Sequence, residues 1–309
     1  MGWVCALPLE VSAARGMLDE EHQIHPSVGD DSNIYTLGRV GEHNVIIACL
    51  PKGQMGTISA ADITIQMKSS YPSIRFGLMV GIGGGVPGKA DIRLGDVVIS
   101  APFQGNGGVI QYDFGTTTPT GFKSKGFLNA PPKLLLNAVS ILESNHSIGR
   151  GKLSEYLSSL RHWPQFVRIP AEQDILYQAD YNHVGGDSCE QCSEEKVVKR
   201  TPRQEIVIHY GTIASGNQVM RDGTTRDQVS GEFGGVLCFE MEAAGLMNSF
   251  PCLVIRGICD YADSHKNKKW QAYAAATAAA CAKEVLSVIP PAEVVKARTV
   301  DKTIKAASS

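Results

Sequence analysis

The sequence predicts an α/β chain built on an open sheet of buried strands. Three observations carry that expectation. Short apolar, β-branched runs recur at residues 3–7, 34–40, 44–50, 75–81, 207–213 and 252–258, each too short for a helix. Stretches with helical spacing follow several of them, at 8–18, 57–69, 133–143 and after Trp270. Carboxylates or glycines then stand at the strand ends, where open α/β sheets hold their ligands.

The elements follow in order. Trp3-Val4-Cys5-Ala6-Leu7 reads as a strand and runs through Pro8-Leu9-Glu10 into a helix with apolar residues at Val11, Ala14, Met17 and Leu18. Glu10 thus stands at a strand-to-helix junction, where a first-turn acid also suits the helix dipole. Residues 34–40 and 44–50 form a hairpin through Gly41. The helix at 57–69 carries the small residues Ser59, Ala60 and Ala61, suited to close packing on a sheet. The strand at 75–81 enters the glycine cluster Gly81-Ile82-Gly83-Gly84-Gly85-Val86-Pro87-Gly88, read as a turn. That cluster is not a dinucleotide fingerprint, because Val86 stands where the third glycine belongs, and no Gly-Lys-Ser/Thr makes it a P-loop. Residues 133–143 should pack on the outside of the sheet, and 144–204 read as an insertion. A strand at 207–213 leads to Ala214-Ser215-Gly216-Asn217-Gln218-Val219-Met220. The apolar run ending at Phe239 meets Glu240-Met241-Glu242, then a short helix at 243–248 broken by Pro251. The strand at 252–258 ends in Cys259-Asp260-Tyr261-Ala262-Asp263. An alanine-rich helix follows Trp270 and ends at Pro290-Pro291, leaving 291–309 as a polar tail or linker.

The chain has 309 residues, 43% hydrophobic and 19% charged, with a formal net charge of −2. That suits one large or two small domains with an ample core, and the order of elements is read as one domain over residues 1–290. The near-neutral balance gives no footprint for nucleic acid or an anionic membrane, and no apolar run approaches the ~20 residues of a membrane span. Eight cysteines, several in core strands, suit a reducing, cytoplasmic setting better than a disulfide framework. With a strand starting at Trp3, the chain is expected to be a module of a longer protein, fused to other domains.

FEMEAAG (residues 239–245), followed by VIRGICDYAD (residues 254–263), resembles the signature of the nucleoside phosphorylase and nucleosidase superfamily. The likeness extends over residues 1–126 and 205–290. It is closest to a fungal-type branch that resembles methylthioadenosine/adenosylhomocysteine nucleosidases and is often a module of receptor-like proteins. The resemblance implies a three-layer α/β/α fold with a central mixed twisted sheet, a purine nucleoside and water as small-molecule partners, no cofactor, and a homodimer or larger assembly. It implies that Glu10 orients the attacking water, that the turn with Ile82 and Gly83 approaches the ribose, and that Asn217, Gln218, Val219 and Met220 contact the base.

Glycosidic cleavage asks for a proton delivered to the departing purine, a grip on the ribose hydroxyls and a nucleophile at C1′. Asp260 is the candidate acid, in a place where burial can raise a carboxyl pKa. Glu242 is placed to accept two ribose hydrogen bonds. Glu240 would support it, Met241 would lie under the sugar, and Trp270 would line the base or the 5′ side. In this family, phosphorylases hold phosphate with an arginine and a hydroxyl near the glycine turn. Val80-Gly81-Ile82-Gly83 offers neither, so water is the expected nucleophile. The alternatives are a phosphate-dependent purine nucleoside phosphorylase and a nucleoside-sensing module without turnover. His183, Cys189 and Cys192 offer three zinc ligands where a structural site wants four, so no metal is expected there.

Overall fold

The computed structural model describes residues 1–23, 31–88, 90–119, 121–186 and 188–307. Its first half contains β1 (Gly2–Cys5), α1 (Pro8–Arg15), β2 (Glu20–Glu21), β3 (Tyr35–Val40), β4 (His43–Cys49), α2 (Thr57–Ser70), β5 (Gly77–Gly85), β6 (Val97–Ser100), β7 (Val109–Gln111), β8 (Gly115–Thr118) and β9 (Gly121–Ser124). Then come α3 (Lys133–Ser147), α4 (Leu153–Ser158), β10 (Ile208–Ser215), α5 (Gly223–Glu232), β11 (Val236–Glu240), β12 (Cys252–Asp260), α6 (Gln271–Ser287), α7 (Pro291–Lys296) and α8 (Val300–Ala307).

The main sheet runs β11-β10-β6-β12-β5-β1-β4-β3-β2, with β7 added on β10 and β11 also touching β5. It is mixed. The central pairs β12–β5, β5–β1 and β1–β4 are parallel, whereas β6–β12 and β3–β4 are antiparallel. Successive strand residues face opposite ways, so Trp3, Leu78 and Leu253 pack under α1, α3 and α6, while Val4, Met79 and Val254 pack under α2 and Phe250. The result is three layers.

Helix α6 lies directly on β12. A Cβ at Gly257 would stand 1.8 Å from the carbonyl oxygen of Ala274, so the alanine-rich face and that glycine are one close contact. Among the described residues, no helix is long and apolar enough to cross a membrane.

Three expectations change. The glycine cluster is not a turn, because β5 continues through it to Gly85, held by β12 on one side and β11 on the other. The helix expected at 243–248 shrinks to one 3-10 turn, Ala243–Gly245. There the backbone of Thr57 crowds in, 2.0 Å from where a Gly245 Cβ would be. The polar tail forms α7 and α8. Val300 is buried and its N–H donates to Ile74 O at 2.9 Å, and Asp301 pairs with Lys68 at 3.2 Å. Ser308 and Ser309 lie outside the described residues.

The insertion folds back on its own chain. Tyr177 bridges Val197, Tyr261 hydrogen-bonds Asp174, and Arg200 both pairs with Asp174 at 3.0 Å and covers the Tyr261 ring at 5.3 Å. The segment just beyond β12 is thereby strapped from outside.

Candidate active site

At the carboxyl edge of β5, β11 and β12 a cavity of about 560 Å³ opens, within the ~300–1,000 Å³ of small-molecule sites. Glu10, Ile82, Gly83, Gln218, Val219, Met220, Met241, Glu242 and Asp260 all line it. A larger groove, about 1070 Å³, lies between α4 and the start of β10, and none of these strand-end carboxylates reaches it.

Glu10 is the third residue of α1, and its carboxylate folds back over the helix start. Oε2 accepts from the N–H groups of Ala6 at 2.7 Å and Leu7 at 2.9 Å, while Oε1 accepts from Ile82 N–H at 2.8 Å. The capping role and the cavity position therefore coincide in one side chain. Burial pushes the Glu10 pKa up, against the pull of Arg256 and these three N–H donors.

Glu240 ends β11 and acts inward. Its carboxylate accepts from the N–H of Glu242 at 3.1 Å and of Ala243 at 3.0 Å, fixing the bend that aims Glu242 at the cavity. Burial pushes the Glu242 carboxyl up to about 7, with Arg256 opposing and the neighbouring Glu240 and Glu10 adding to the rise.

Arg256 corrects the expectation that no arginine stands near the glycines. Parallel pairing sets it opposite Gly81, and its Nη1 donates to Ile82 O at 3.4 Å. The guanidinium is fully buried, hydrogen-bonded to Glu240 and 3.3 Å from a Glu242 oxygen. A Cβ on Gly81 would stand 2.5 Å from both Arg256 Nη1 and Glu10 Oε1, so glycine is required where acid and base approach each other. The charge of Arg256 is committed to carboxylates. One arginine in the apolar run CLVIRGI was the signal for it, since a buried guanidinium needs acidic partners.

Asp260 closes β12. Its Oδ1 accepts from Ala262 N–H at 2.9 Å, and its Oδ2 lies 2.9 Å from Lys266 Nζ and 3.1 Å from Cys259 Sγ. Lys266 also lines the cavity. Burial lowers the Lys266 pKa, but Asp260 more than offsets it and leaves the ammonium above its ordinary value. Asp260 therefore has a cationic partner at the cavity wall. Nothing in the polar run after Asp263 singled Lys266 out, and only the chain reversal brings it back over the strand end.

Two expected site residues stand elsewhere. Asn217 Oδ1 accepts from Thr57 N–H and Oγ1, both at 3.1 Å, capping α2 from another element instead of facing the cavity. Trp270 is buried against Tyr273 beside Cys259 and does not itself line the cavity. Gln271 and Lys268 line the wall near it.

A cavity lined by ionisable side chains at the carboxyl edge of the strands stands where open α/β sheets hold small molecules. The chain belongs to the phosphorylase superfamily, whose family model matches residues 1–289. It is 46% identical over 301 residues to a nucleotide-binding leucine-rich repeat (NLR)-like protein of Hyaloscypha variabilis, covering 94% of this chain but only 29% of that protein. It is 26% identical over 297 residues to the 5′-methylthioadenosine/S-adenosylhomocysteine nucleosidase of Mycobacterium bovis, covering 94% of this chain and 96% of that one. Among solved structures, futalosine hydrolase of Helicobacter pylori superposes with a TM-score of 0.60 at 18% identity, over 93% of this chain and 96% of that chain, a likeness of fold.

Proposed function

We propose that this chain is a purine nucleoside N-ribohydrolase. The observation that carries the reading is the meeting of Glu10, Glu242 and the Asp260–Lys266 pair on one cavity, with Arg256 neutralised by carboxylates. The matching relatives that are nucleosidases by name support hydrolysis. In this mechanism the bond between C1′ and the base nitrogen breaks, and its electron pair leaves with the purine. The Asp260–Lys266 pair supplies a proton to N7 of the base. Glu242, ionised, accepts hydrogen bonds from the ribose hydroxyls as positive charge builds on the sugar. Glu10 takes a proton from water, whose oxygen bonds to C1′, giving free base and ribose. Met241 and Phe239 supply apolar surface for the sugar and base.

Hydrolysis is favoured over phosphorolysis on electrostatic grounds. A phosphate dianion near Gly81 would meet three buried carboxylates and one guanidinium already paired with two of them. Desolvating such an ion beside carboxylates, with that guanidinium already paired, costs several kcal/mol. Base release from adenosine, inosine, guanosine and methylthioadenosine should therefore proceed in phosphate-free buffer and yield the free sugar, ribose from the first three and 5-methylthioribose from the last. Release only with phosphate, as ribose 1-phosphate, would make the chain a phosphorylase. Nucleoside bound but never cleaved would make it a sensing module.

The Glu242 value fixes the sign of a pH effect. Its folded pKa is raised, so the protonated form is favoured in the fold, and that contribution to stability is complete below the ordinary carboxylate range and lost as pH rises through about 7. Activity runs the other way, because the ribose grip needs the ionised form. kcat/KM should fall as pH drops below about 7, and that limb should vanish in Glu242→Gln. A variant that keeps the same limb assigns the titration to another group.

A further inference from the structure

The insertion carries a second constellation, apart from the cavity. His183 Nδ1, Cys189 Sγ and Cys192 Sγ lie within 4.8 Å of one another. Nδ1 is 3.3 Å from the Cys192 sulfur and 3.8 Å from the Cys189 sulfur. With Zn–S of ~2.3 Å and Zn–N of ~2.0–2.1 Å, two ligands on a tetrahedral zinc ion stand about 3.6 Å apart, between those two distances. Thiol hydrogen bonding accounts for only half of this arrangement, because Nδ1 has one lone pair and can accept from one thiol. The other ring nitrogen is already committed. His183 Nε2 is 2.8 Å from Gly186 O, and a carbonyl only accepts, so Nε2 carries the proton and Nδ1 keeps its lone pair toward the sulfurs. Metal-bound histidines are held in this way.

A second observation points to the same place from the other side of the fold. His265, on the segment after β12, is 92% buried by its 8% exposure, and neither ring nitrogen makes a hydrogen bond, Nδ1 having only Asp263 Oδ1 of its own segment at 3.7 Å. Its ring stacks on Tyr177 at 4.1 Å and stands edge-on to His183, with centroids 5.6 Å apart. Two imidazoles on one tetrahedral zinc have centroids roughly 5 Å apart, from the same bond lengths. His265 lies outside the set within 4.8 Å, so its ring must turn toward His183 to complete four-coordination.

We propose that His183, Cys189, Cys192 and His265 bind a structural zinc ion that fastens the insertion to the segment after β12. That segment carries Lys266, the partner of Asp260, and His183 N–H already donates to Ser264 Oγ at 2.9 Å. The ion is a fastener and takes no part in bond cleavage, because all four donors close the tetrahedron and leave no position for water. Closure also answers the objection that the sequence shows only three ligands, since the fourth lies 73 residues beyond Cys192.

The test uses the full chain, expressed with zinc supplied and then freed of loose metal. Elemental analysis should give about one zinc per chain, and Cys189→Ser with Cys192→Ser should cut it more than tenfold. His265→Asn should lower retained zinc several-fold in the presence of a competing chelator. Exchange with cobalt(II) in the wild-type chain should give thiolate-to-cobalt charge transfer and the intense visible bands of a tetrahedral site, a readout that needs no variant to fold. A wild-type chain with no zinc and two thiols missing from a denatured thiol titration would overturn the site in favour of a Cys189–Cys192 disulfide. Zinc undiminished in the double cysteine variant would place the metal elsewhere, and zinc held equally well by His265→Asn would remove His265 from the site.

Discussion

Replacing Glu10 with glutamine is expected to reduce base release by about 10²–10⁴-fold, the range for losing a positioned general base. The amide cannot take a proton from water, whereas Glu242 and the Asp260–Lys266 pair keep their positions, so nucleoside should still bind. The substitution has a structural side as well. Glu10 accepts three backbone N–H groups through two oxygens, and glutamine turns one acceptor into a donor facing Ala6 and Leu7 or Ile82. One unsatisfied buried N–H costs about 1–3 kcal/mol, so Tm should be recorded beside kcat and nucleoside Kd. Lost turnover with retained nucleoside binding assigns Glu10 to the chemistry. A Glu10→Gln chain that hydrolyses normally leaves Glu10 as the cap of α1 and nothing more.

Arg256→Met is expected to give the largest loss of stability. Arg256 is wholly buried, bonded to Glu240 and 3.3 Å from Glu242, so methionine keeps the volume but leaves carboxylates without a counter-charge. Breaking a buried pair from one side costs about 3–5 kcal/mol, on the order of 10 °C in Tm for a domain of this size. Adding Glu240→Gln to Arg256→Met should recover part of that loss, because the amide removes one buried charge. Urea unfolding of both variants and the single Glu240→Gln completes the cycle. An Arg256→Met chain as stable as wild type would mean that these groups do not carry charge together inside the fold.

Residue patterns along the chain were enough for the α/β class, for most strands and for several cavity residues. Buried strands announce themselves by apolar, β-branched runs, and carboxylates at their ends are conspicuous for that reason. Glu242 and Asp260 were legible because each stands where a local pattern stops, whereas Glu10 read locally as a helix-start acid and owed its place in the site to the family resemblance. Gly81 through Gly85 misled, since glycine marks both turns and strands whose neighbours leave no room for a Cβ. At Gly84 that neighbour is Asp260, whose Oδ1 would be 2.7 Å from a Cβ. α7 and α8 were missed because their docking rests on Val300 and a few pairs with α2 and Ile74, too little to show in composition.

By itself the sequence determined which segments could be buried strands, and it placed acids at three of their ends, because burial and chain reversal are written in local residue type. Only the tertiary structure decided which charges meet. Arg256 faces Gly81 through strand register, Lys266 returns to Asp260 through a loop, and Asn217 turns away to cap α2. Electrostatic pairing depends on distance in space and on the desolvation of both partners. Neither quantity is carried by spacing along the chain.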